Sequence, residues 1–323
     1  MQRVKVGVIG AGIMGSNHFR VALRNAQVEL VAICDNDLDK LELLAMGSNV
    51  ELMNDPHAML GKVDAVIIAT PTESHYPLAK LFLENSIPVL LEKPISSTAE
   101  EGQELIALAE KNNVVFQVGH VERFNSAVMA LPQYVVDPLL FEFRRISPFS
   151  GRVRESIVTD LMIHDLELLC FLNPYPISGI QAIGQNPHTE WSDFASVLIS
   201  FENGSSAMLI ASRIGQQKVR TIEITKMDSV VHADLLRQDI VISRVDHVEY
   251  STEGGARFKQ HGMMELPFID RFGEPLMLEQ QEFVEAVQNK RETSVNPKTA
   301  MQALILAHEI EVVIASNRTA SYV

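Results

Sequence analysis

Lys93, Asp160 and His164 are the residues of this chain whose types and spacing best suit proton transfer. Lysine and histidine can each take a proton from an alcohol, and a carboxylate beside a histidine orients its ring and favours the cation formed after proton uptake. Asp160 and His164 are four positions apart in a segment with a helical pattern, so they share one face of that helix. The alternative is structural: Asp160 caps the helix, and His164 is a satisfied interface histidine.

Lys93 follows the apolar segment from Val89 to Glu92 and precedes Pro94. Such a segment predicts a buried strand, and the carboxyl edge of a parallel sheet is where doubly wound folds bind their ligands. Pro94 restricts Lys93 to an extended conformation and so determines where its side chain points. We therefore expect Lys93 to hold the oxygen of a substrate alcohol or to act as its base.

A glycine-rich segment near the N-terminus connects an apolar strand to a helix, and it contains Gly10, Gly12, Ile13, Met14 and Gly15. The first glycine of this pattern permits a tight turn, the second lets the backbone approach a pyrophosphate, and the third packs the helix against the strand. The pyrophosphate would lie on the unpaired N–H groups of the helix N-terminus. The segment predicts a dinucleotide site, with a purely structural glycine turn as the alternative.

Asp35 ends the second predicted strand, twenty positions after Gly15. A carboxylate at this point accepts hydrogen bonds from the adenosine ribose hydroxyls and repels a 2′-phosphate. No lysine or arginine follows until Lys40, so NAD is favoured over NADP as the cofactor. The alternative is that Asp35 or Asp37 only caps the next helix.

Thr70, Pro71 and His75 follow the next long apolar strand, at the edge of the crevice where a nicotinamide ribose would lie. We place them in the cofactor site together with Glu92 and Lys93. For His75 a bland surface position is the alternative to ligand contact.

The first 120 residues alternate apolar strands with helical segments, which predicts an α/β fold with an NAD-binding Rossmann domain over residues 1–120. The strands are apolar throughout, as a parallel sheet covered on both faces requires. They are predicted at Val4–Ile9, Glu29–Cys34, Ala65–Ala69, Pro88–Leu91 and Val114–Val118, with helices at Met14–Asn25, Leu38–Met46, His75–Glu84 and Thr98–Asn112.

In residues 121–323 the regular alternation of strands and helices ends, and the pattern predicts an α+β domain for substrate binding and oligomerisation. Successive β-type segments lie between Ile180 and Tyr250, and the Asn203-Gly204 turn predicts a hairpin. Helices are predicted at Thr159–Leu172, Leu276–Asn289 and Pro297–Ser316. The sheet is expected to be large, mostly antiparallel and open, and its uncovered face favours a homodimer or homotetramer.

Charge and composition exclude several classes of function. A net charge of −14 argues against nucleic acid as a partner, because its phosphates would be repelled. The longest apolar runs have strand length, which argues against a membrane span, and the first strand follows Met1 too closely for a signal peptide. Cys34 and Cys170 have no metal-ligand spacing, and no other cluster predicts a metal. A cytoplasmic protein is the expectation.

Five arginines and no lysine lie between positions 123 and 154, against two acidic residues. They are Arg123, Arg144, Arg145, Arg152 and Arg154. Arginine's planar fork suits phosphate and carboxylate, so this segment predicts a site for an anionic substrate, with scattered surface charge as the alternative. Because neighbours on a strand point to opposite sides, at most one of Arg144 and Arg145 should face a cleft.

Taken together, these residues resemble the glucose–fructose oxidoreductase/inositol dehydrogenase (Gfo/Idh/MocA) family of NAD(P)-dependent sugar oxidoreductases. The resemblance rests on the glycine loop, on Ala69-Thr-Pro-Thr with His75, on Glu92-Lys93-Pro94 and on the Asp160 to His164 spacing. It implies a Rossmann domain followed by a domain with a large open sheet, often used for dimer and tetramer contacts. It also implies that Lys93 contacts the reacting hydroxyl and that His164, with Asp160 nearby, serves as acid and base.

Two segments, Gly119–Asn125 and Asp160–Asp165, resemble members of that family that oxidise C3 of a UDP-linked N-acetylated hexosamine to a 3-keto sugar nucleotide. One departure is Ser126, where those members usually have proline. The resemblance implies a diphosphate-bearing substrate. Its expected contacts are Lys93, Arg123, Asn125, Arg152, Arg154 and His164.

Three alternatives remain open from the sequence. The first is a dehydrogenase of free sugars, inositol or another small polyol. The second is a reductase of a non-sugar carbonyl or a tetrapyrrole, similar to biliverdin reductase, in which the arginines bind carboxylates. The third is a non-catalytic dinucleotide sensor, which the retention of Lys93 with the Asp160 and His164 spacing disfavours.

Overall fold

The computed structural model describes residues 3–151, 153, 155–252, 255–270 and 273–320. The chain divides into two compact units, Met1–Phe124 with Gly273–Ile305, and Asn125–Phe272 with Leu306–Val323. The predicted division at residue 120 differs from this in one respect. The segment 273–305 follows the sheet domain in sequence but belongs to the first unit.

The strands and helices alternate first and then separate, as the sequence predicts. The strands are β1 (Val4–Ile9), β2 (Val28–Cys34), β3 (Glu51–Met53), β4 (Ala65–Ile68), β5 (Val89–Glu92), β6 (Phe116–Gly119), β7 (Leu140–Ile146), β8 (Ile177–Gln185), β9 (Phe194–Phe201), β10 (Ser206–Ser212), β11 (Val219–Thr225), β12 (Val230–Asp234), β13 (Asp239–Thr252) and β14 (Gly255–Glu265). The helices are α1 (Ile13–Ala22), α2 (Leu38–Leu44), α3 (His75–Glu84), α4 (Ala99–Asn112), α5 (Ser126–Ala130), α6 (Ile163–Leu172), α7 (Pro275–Asn289) and α8 (Pro297–Ala320).

The first unit contains a six-stranded parallel sheet in the order β3-β2-β1-β4-β5-β6. Every residue of β4, β5 and β6 is buried, because helices cover both faces of such a sheet. The order reverses between β1 and β4, and ligands of doubly wound folds bind at the carboxyl ends of the strands at that point. The predicted Rossmann domain is confirmed. β3 was missed because it has three residues.

The second unit contains an eight-stranded sheet in the order β14-β13-β12-β11-β7-β10-β9-β8. β7 and β10 pair in parallel and the other neighbours pair antiparallel, which confirms the predicted large, mostly antiparallel sheet. The predicted turn joins β9 to β10, and its Gly204 has a φ of +85°.

One face of this sheet packs into the core of the second unit and the other is more open. Phe141, Phe143 and Val197 point inward and are buried, whereas Leu198 and Ile183 point to the other face and are exposed. The alternation follows from the two-residue period of a strand. Oligomerisation through the open face stays a prediction.

α8 is the one helix in the described ranges that is long and apolar enough, over Pro297–Asn317, to span a membrane. Of that stretch, 44% is buried inside the protein. Its buried side chains include Ala303, Leu304, Ala307 and Ile310. A core helix passes the same test of length and composition, so this helix is weak evidence for a membrane protein.

Candidate active site

The glycine loop follows β1 and has the geometry that a pyrophosphate requires. Gly10 has a φ of +98°, and a Cβ there would lie 2.4 Å from the carbonyl oxygen of Ala69. A Cβ on Gly15 would lie 1.9 Å from the carbonyl oxygen of Gly10. In front of Gly12, by contrast, there is nothing within 4 Å in the described part of the chain. The first and third glycines are therefore required by packing, and the second leaves open space for a ligand.

Gly12 is the N-cap of α1, so Ile13 and Met14 form its first turn. The side chain of Ile13 is 68% exposed, which is unusual for isoleucine and leaves the mouth of the loop uncovered. The first backbone N–H groups of a helix have no acceptor within the helix and point towards a bound anion. The loop thus fits the pyrophosphate of a dinucleotide.

The structure separates the roles of the two aspartates after β2. Asp37 is the N-cap of α2, and its Oδ1 accepts a hydrogen bond from the Lys40 amide at 3.1 Å. Asp35 instead accepts hydrogen bonds from the amide of Ala11 at 2.6 Å and from that of Asp37 at 3.1 Å. Its carboxylate therefore lies against the glycine loop, where a ribose-binding carboxylate is expected. The ribose contact itself stays a prediction.

His75 is 1% exposed, so the surface alternative for this residue is wrong. Its Nδ1 lies 2.7 Å from the carbonyl oxygen of Pro94 and its Nε2 lies 2.9 Å from that of Thr70. Burial lowers the pKa of His75 more than the two carbonyls raise it, so the neutral ring donates to one of them at a time. His75 connects the loop after β4 to the loop after β5.

Thr70 offers a polar group at the same edge. Its buried Oγ1 has no hydrogen-bond partner among the residues described. Buried hydroxyls are normally satisfied, so this one is suited to a ligand or an ordered water. The assignment of Thr70 and Pro71 to the cofactor site stays a prediction.

Lys93 is half-buried directly after β5, and the peptide between it and Pro94 is cis. Its backbone N–H donates to Oε2 of Glu92 at 3.2 Å. Glu92 is 8% exposed, and its Oε1 lies 2.9 Å from Nε2 of His18 on α1. Both carboxylate oxygens of Glu92 thus bond within the unit, which gives Glu92 an internal role that was not predicted for it.

His120 was missed in the search for functional residues. It follows β6, is 1% exposed, and carries a neutral ring, because burial and then the charges of Lys93 and Arg123 lower its pKa to about 3. Arg123 itself is half-buried, and its Nη2 donates to the carbonyl of Ser294 at 3.3 Å. The sequence offered one signal for His120, which is its position directly after the fully buried strand β6.

In the second unit, Asp160 lies in a π-helical turn, Val158–Met162, that precedes α6. The sequence predicts an α-helix throughout, and π turns occur frequently at functional sites. The turn begins at Val158 with Ile157 as its N-cap, so the capping alternative for Asp160 is wrong. His164 is in the first turn of α6 and is half-buried.

Arg213 is a second residue that was missed. It is 4% exposed, and its Nη2 lies 3.8 Å from Oδ2 of Asp160, which is an ion pair without a hydrogen bond. Its guanidinium nitrogens have no hydrogen-bond partner within the described residues. Asp160 therefore has a buried cation on one side, while its own side chain remains 39% exposed.

The predicted arginine cluster divides into structural and exposed members. Arg145 is buried and donates from Nε and Nη2 to the carboxylate of Asp165 at 2.7–3.0 Å, which fastens α6 to β7. Arg144 points to the opposite side and is exposed, as the strand pattern predicts. Arg152 and Arg154 lie outside the described residues.

Asn125 is buried and serves the fold. Its Oδ1 accepts from the Ala127 amide at 3.1 Å as the N-cap of α5, and its Nδ2 donates to the carbonyl of Leu235 at 2.8 Å. The amide is shut off from solvent and committed to backbone groups. This geometry argues against the substrate contact predicted for Asn125.

Of the residues that the structure describes, one group has the spacing of a metal site: ligand atoms of His18, Glu92 and Glu279 lie within 4.8 Å of one another. All three are buried in the first unit. The sequence did not predict this cluster, because its members come from three distant segments. Within this cluster, Nε2 of His18 is already hydrogen-bonded to Oε1 of Glu92, and Nδ1 of His18 to the amide of Gln280. Neither His18 nitrogen is therefore left for a metal.

A dinucleotide loop at the reversal point of a parallel sheet, an acidic residue against it and a lysine at the carboxyl edge together define an NAD-dependent oxidoreductase. Family comparisons agree. Residues 4–120 match the oxidoreductase family with an NAD-binding Rossmann fold, and residues 144–226 match the GFO/IDH/MocA C-terminal domain. The chain belongs to this family, as the sequence predicts.

Individual relatives are sugar and polyol dehydrogenases. UDP-N-acetylglucosamine 3-dehydrogenase of Acidithiobacillus ferrooxidans is 30% identical over 75% of this chain and 77% of its own length. The solved structure of that enzyme superposes with a TM-score of 0.88 at 26% identity, covering 98% of this chain and 99% of its own. An inositol 2-dehydrogenase of Rhizobium meliloti is 25% identical over 98% of this chain and 99% of its own. The protein is an NAD-binding oxidoreductase that acts on CH–OH groups.

Proposed function

We propose that this protein oxidises the C3 hydroxyl of a UDP-N-acetylhexosamine with NAD and so makes a 3-keto sugar nucleotide. The observation that carries the proposal is the similarity to UDP-N-acetylglucosamine 3-dehydrogenase, in sequence over three quarters of the chain and in fold over nearly all of it. The segments Gly119–Asn125 and Asp160–Asp165 support the same substrate class.

The first unit supplies cofactor binding and one contact to the alcohol. NAD held in this unit would supply the hydride acceptor for the carbinol carbon. Gly12 and the first turn of α1 hold the pyrophosphate, and Asp35 holds the adenosine ribose. Thr70, Pro71 and His75 line the nicotinamide side. The Nζ of Lys93 donates a hydrogen bond to the reacting hydroxyl and stabilises negative charge on its oxygen.

His164 is proposed as the acid and base, on its spacing from Asp160 and on the family resemblance. A ring nitrogen of His164 takes the hydroxyl proton as the alcohol is oxidised and returns it in the reverse reaction. Asp160 favours the cationic ring, and the buried Arg213, whose Nη2 lies 3.8 Å from Oδ2 of Asp160, positions that carboxylate. The Arg145 and Asp165 ion pair anchors the first turn of α6, which carries His164.

The substrate's diphosphate is assigned to arginine. Arg123 is half-buried, and one of its N–H groups is fixed by the Ser294 carbonyl, which orients the guanidinium. Arg152 and Arg154 are proposed as further phosphate contacts on the sequence alone. The protein is proposed to be cytoplasmic and to form a homodimer or homotetramer through the open sheet face that exposes Ile183 and Leu198.

An inositol dehydrogenase is the second candidate, because relatives with that activity are similar over the whole chain. The two functions share the cofactor site and the chemistry of Lys93 and His164. They differ in whether the arginines bind a diphosphate. Arg123→Met should therefore raise the KM for a UDP-sugar at least about tenfold if the first proposal is right. An unchanged KM would remove Arg123 from the substrate site.

The decisive experiment follows absorbance of reduced nicotinamide with purified protein, NAD and a panel of UDP-N-acetylglucosamine, UDP-N-acetylgalactosamine, free N-acetylglucosamine and myo-inositol. Hydroxylamine is added to trap the ketone, so that an unfavourable equilibrium does not hide turnover. We expect reduction with a UDP-sugar, and a product two hydrogens lighter before trapping. In Lys93→Ala and His164→Ala, turnover should fall by about 10²- to 10⁴-fold while NAD binding, followed by calorimetry, survives. Reduction with myo-inositol but with no UDP-sugar would overturn the proposal.

A further inference from the structure

A buried polar cluster lies between the sheet and helices α1 and α7 of the first unit. It contains His18, Glu92, Glu279 and Gln280, which are at most 8% exposed. Glu92 lies over Gly119, where an added Cβ would be 3.4 Å from Oε2 of Glu92. Four polar side chains in an otherwise apolar layer are costly unless they are hydrogen-bonded and carry little net charge.

The tautomer of His18 follows from Gln280. The Gln280 amide nitrogen donates to the His18 carbonyl oxygen at 3.0 Å, which determines which end of the amide is the donor. The same nitrogen lies 3.1 Å from Nδ1 of His18, so Nδ1 is an acceptor. The ring proton is therefore on Nε2, from which it is donated to Oε1 of Glu92 at 2.9 Å.

Glu92 is the carboxylate of this cluster whose two oxygens are both hydrogen-bonded. One carboxylate oxygen accepts the His18 N–H, and the other accepts the backbone N–H of Lys93 at 3.2 Å. Hydrogen bonds donated to a carboxylate stabilise its charged form. Glu92 thus ties the backbone of Lys93 to helix α1.

Glu279 has a different environment. It is fully buried, and neither carboxylate oxygen has a hydrogen-bond partner among the described residues. Burial, and then the charge of Glu92, raise its pKa well above the usual range. Two neighbouring buried carboxylates cannot both ionise without a cation between them. Among the described residues, the titratable groups on α1 and on the turn Val121–Phe124, both of which pack against α7, are His18, Arg20, Glu122 and Arg123, and Arg20 is paired with Glu274.

We propose that Glu279 is a positioning residue that holds a proton, so that Glu92 remains the only anion of the cluster and keeps Lys93 in place through its backbone N–H. The inference rests on the proposed role of Lys93. It adds a residue from a distant helix to that role.

The protonation of Glu279 is tested without substrate. The infrared spectrum of the wild-type protein at pH 8 should contain the carbonyl band of a buried carboxylic acid, shifted in deuterium oxide. The band should be missing in Glu279→Gln and present in Glu282→Gln, which changes a glutamate one turn along α7 that binds Arg291. A missing band in the wild-type protein, or a divalent metal present at one equivalent per chain, would overturn the proposal.

The effect on Lys93 is tested by two readouts. In Glu92→Gln, an amide replaces an acceptor of two hydrogen bonds, so kcat should fall by about 10²-fold while the NAD dissociation constant changes less than about threefold. The rate of Lys93 acetylation by acetic anhydride, measured by mass spectrometry against exposed Lys290 as internal reference, should change at least about threefold. Unchanged acetylation in Glu92→Gln would overturn the positioning role even if no substrate were turned over.

The conservative variant separates positioning from simple packing. Glu279→Gln keeps the shape and neutrality of the protonated acid, so its kcat should exceed that of Glu279→Ala by at least about tenfold. Equal losses in both variants would show that a neutral side chain of the same shape does not replace Glu279, which contradicts the proposal. A normal Glu92→Gln enzyme beside an inactive Lys93→Ala enzyme would leave the proposed function intact and refute this inference alone.

Discussion

The two units hold their reactive side chains in place with different kinds of buried charge. In the second unit, Arg145 and Asp165 form a hydrogen-bonded cation–anion pair that is at most 5% exposed, and Asp165 lies on the helix that carries His164. In the first unit, the group that bonds to Lys93 is the carboxylate of Glu92, and its buried neighbour is a second carboxylate, Glu279.

The difference shows that burial alone does not determine how a charge is neutralised. A paired guanidinium and carboxylate stay ionised over a wide pH range, so their contribution to folding changes little near neutrality. A carboxylate held neutral by a proton makes stability depend on pH. The first arrangement suits a purely structural tie, and the second couples the fold to proton binding beside the proposed active site.

The largest expected effect comes from breaking the pair in the second unit. Asp165→Leu removes the carboxylate that accepts hydrogen bonds from two nitrogens of the buried Arg145 guanidinium, so the free energy of unfolding should fall by about 3–5 kcal/mol. Chemical denaturation at constant pH measures this. The double variant Arg145→Met with Asp165→Leu should recover most of the loss, because it removes both charges.

Arg144→Met is the matched control for that experiment. Arg144 is the exposed neighbour of Arg145 on the same strand, so its replacement should change the free energy of unfolding by at most about 0.5 kcal/mol. A double variant as unstable as Asp165→Leu alone would mean that packing, and not charge pairing, is what the two residues supply.

The second prediction concerns the proton-bearing carboxylate. The unfolded chain has an ordinary glutamate pKa of about 4.3, and burial raises the folded value. Between those two pKa values the folded protein holds one proton more than the unfolded chain, so its stability falls as pH rises, by about 1.4 kcal/mol per pH unit. Glu279→Gln lacks this dependence. The free energy of unfolding of the variant, relative to that of the wild-type protein, should therefore rise by about 1.4 kcal/mol per pH unit from about pH 4.3 upward.

Denaturation series from pH 5 to pH 8 on both proteins measure the slope. Glu282→Gln again serves as the control, because burial does not neutralise Glu282, whose pKa is held low by Arg291 and the Ser294 amide despite partial burial. Parallel stability curves for the wild-type protein and Glu279→Gln would show that Glu279 ionises when folded.

What the sequence predicts well in this chain is local. The glycine loop, Asp35 and Lys93 are found because each lies at the end of a short apolar strand, and the order of such strands defines the edge where ligands bind. The Asn203-Gly204 hairpin is equally local, because Gly204 supplies the positive φ that the turn needs.

The features that the sequence hides depend on contacts between distant segments. His18 and Glu92 are 74 positions apart, and Arg145 and Asp165 meet only because α6 packs on β7. The π turn at Asp160 escapes prediction because an i,i+4 pattern fits both helix types over one turn. The second bond of Asn125, from its Nδ2 to the Leu235 carbonyl, is one that no local pattern indicates.

The smallest expected effects come from Asp37 and Asp35, of which the first serves the fold and the second is available to a ligand. Asp37 caps α2, so Asp37→Ala should lower the free energy of unfolding by about 1 kcal/mol and leave NAD binding within about twofold. Asp35 lies against the glycine loop, so Asp35→Ala should weaken NAD binding by about tenfold and reduce the preference over NADP. Calorimetric titration with each dinucleotide, beside denaturation of both variants, makes the test. If Asp35→Ala discriminates NAD from NADP as the wild-type protein does, Asp35 only supports the loop through the Ala11 amide, and the selectivity must come from other residues.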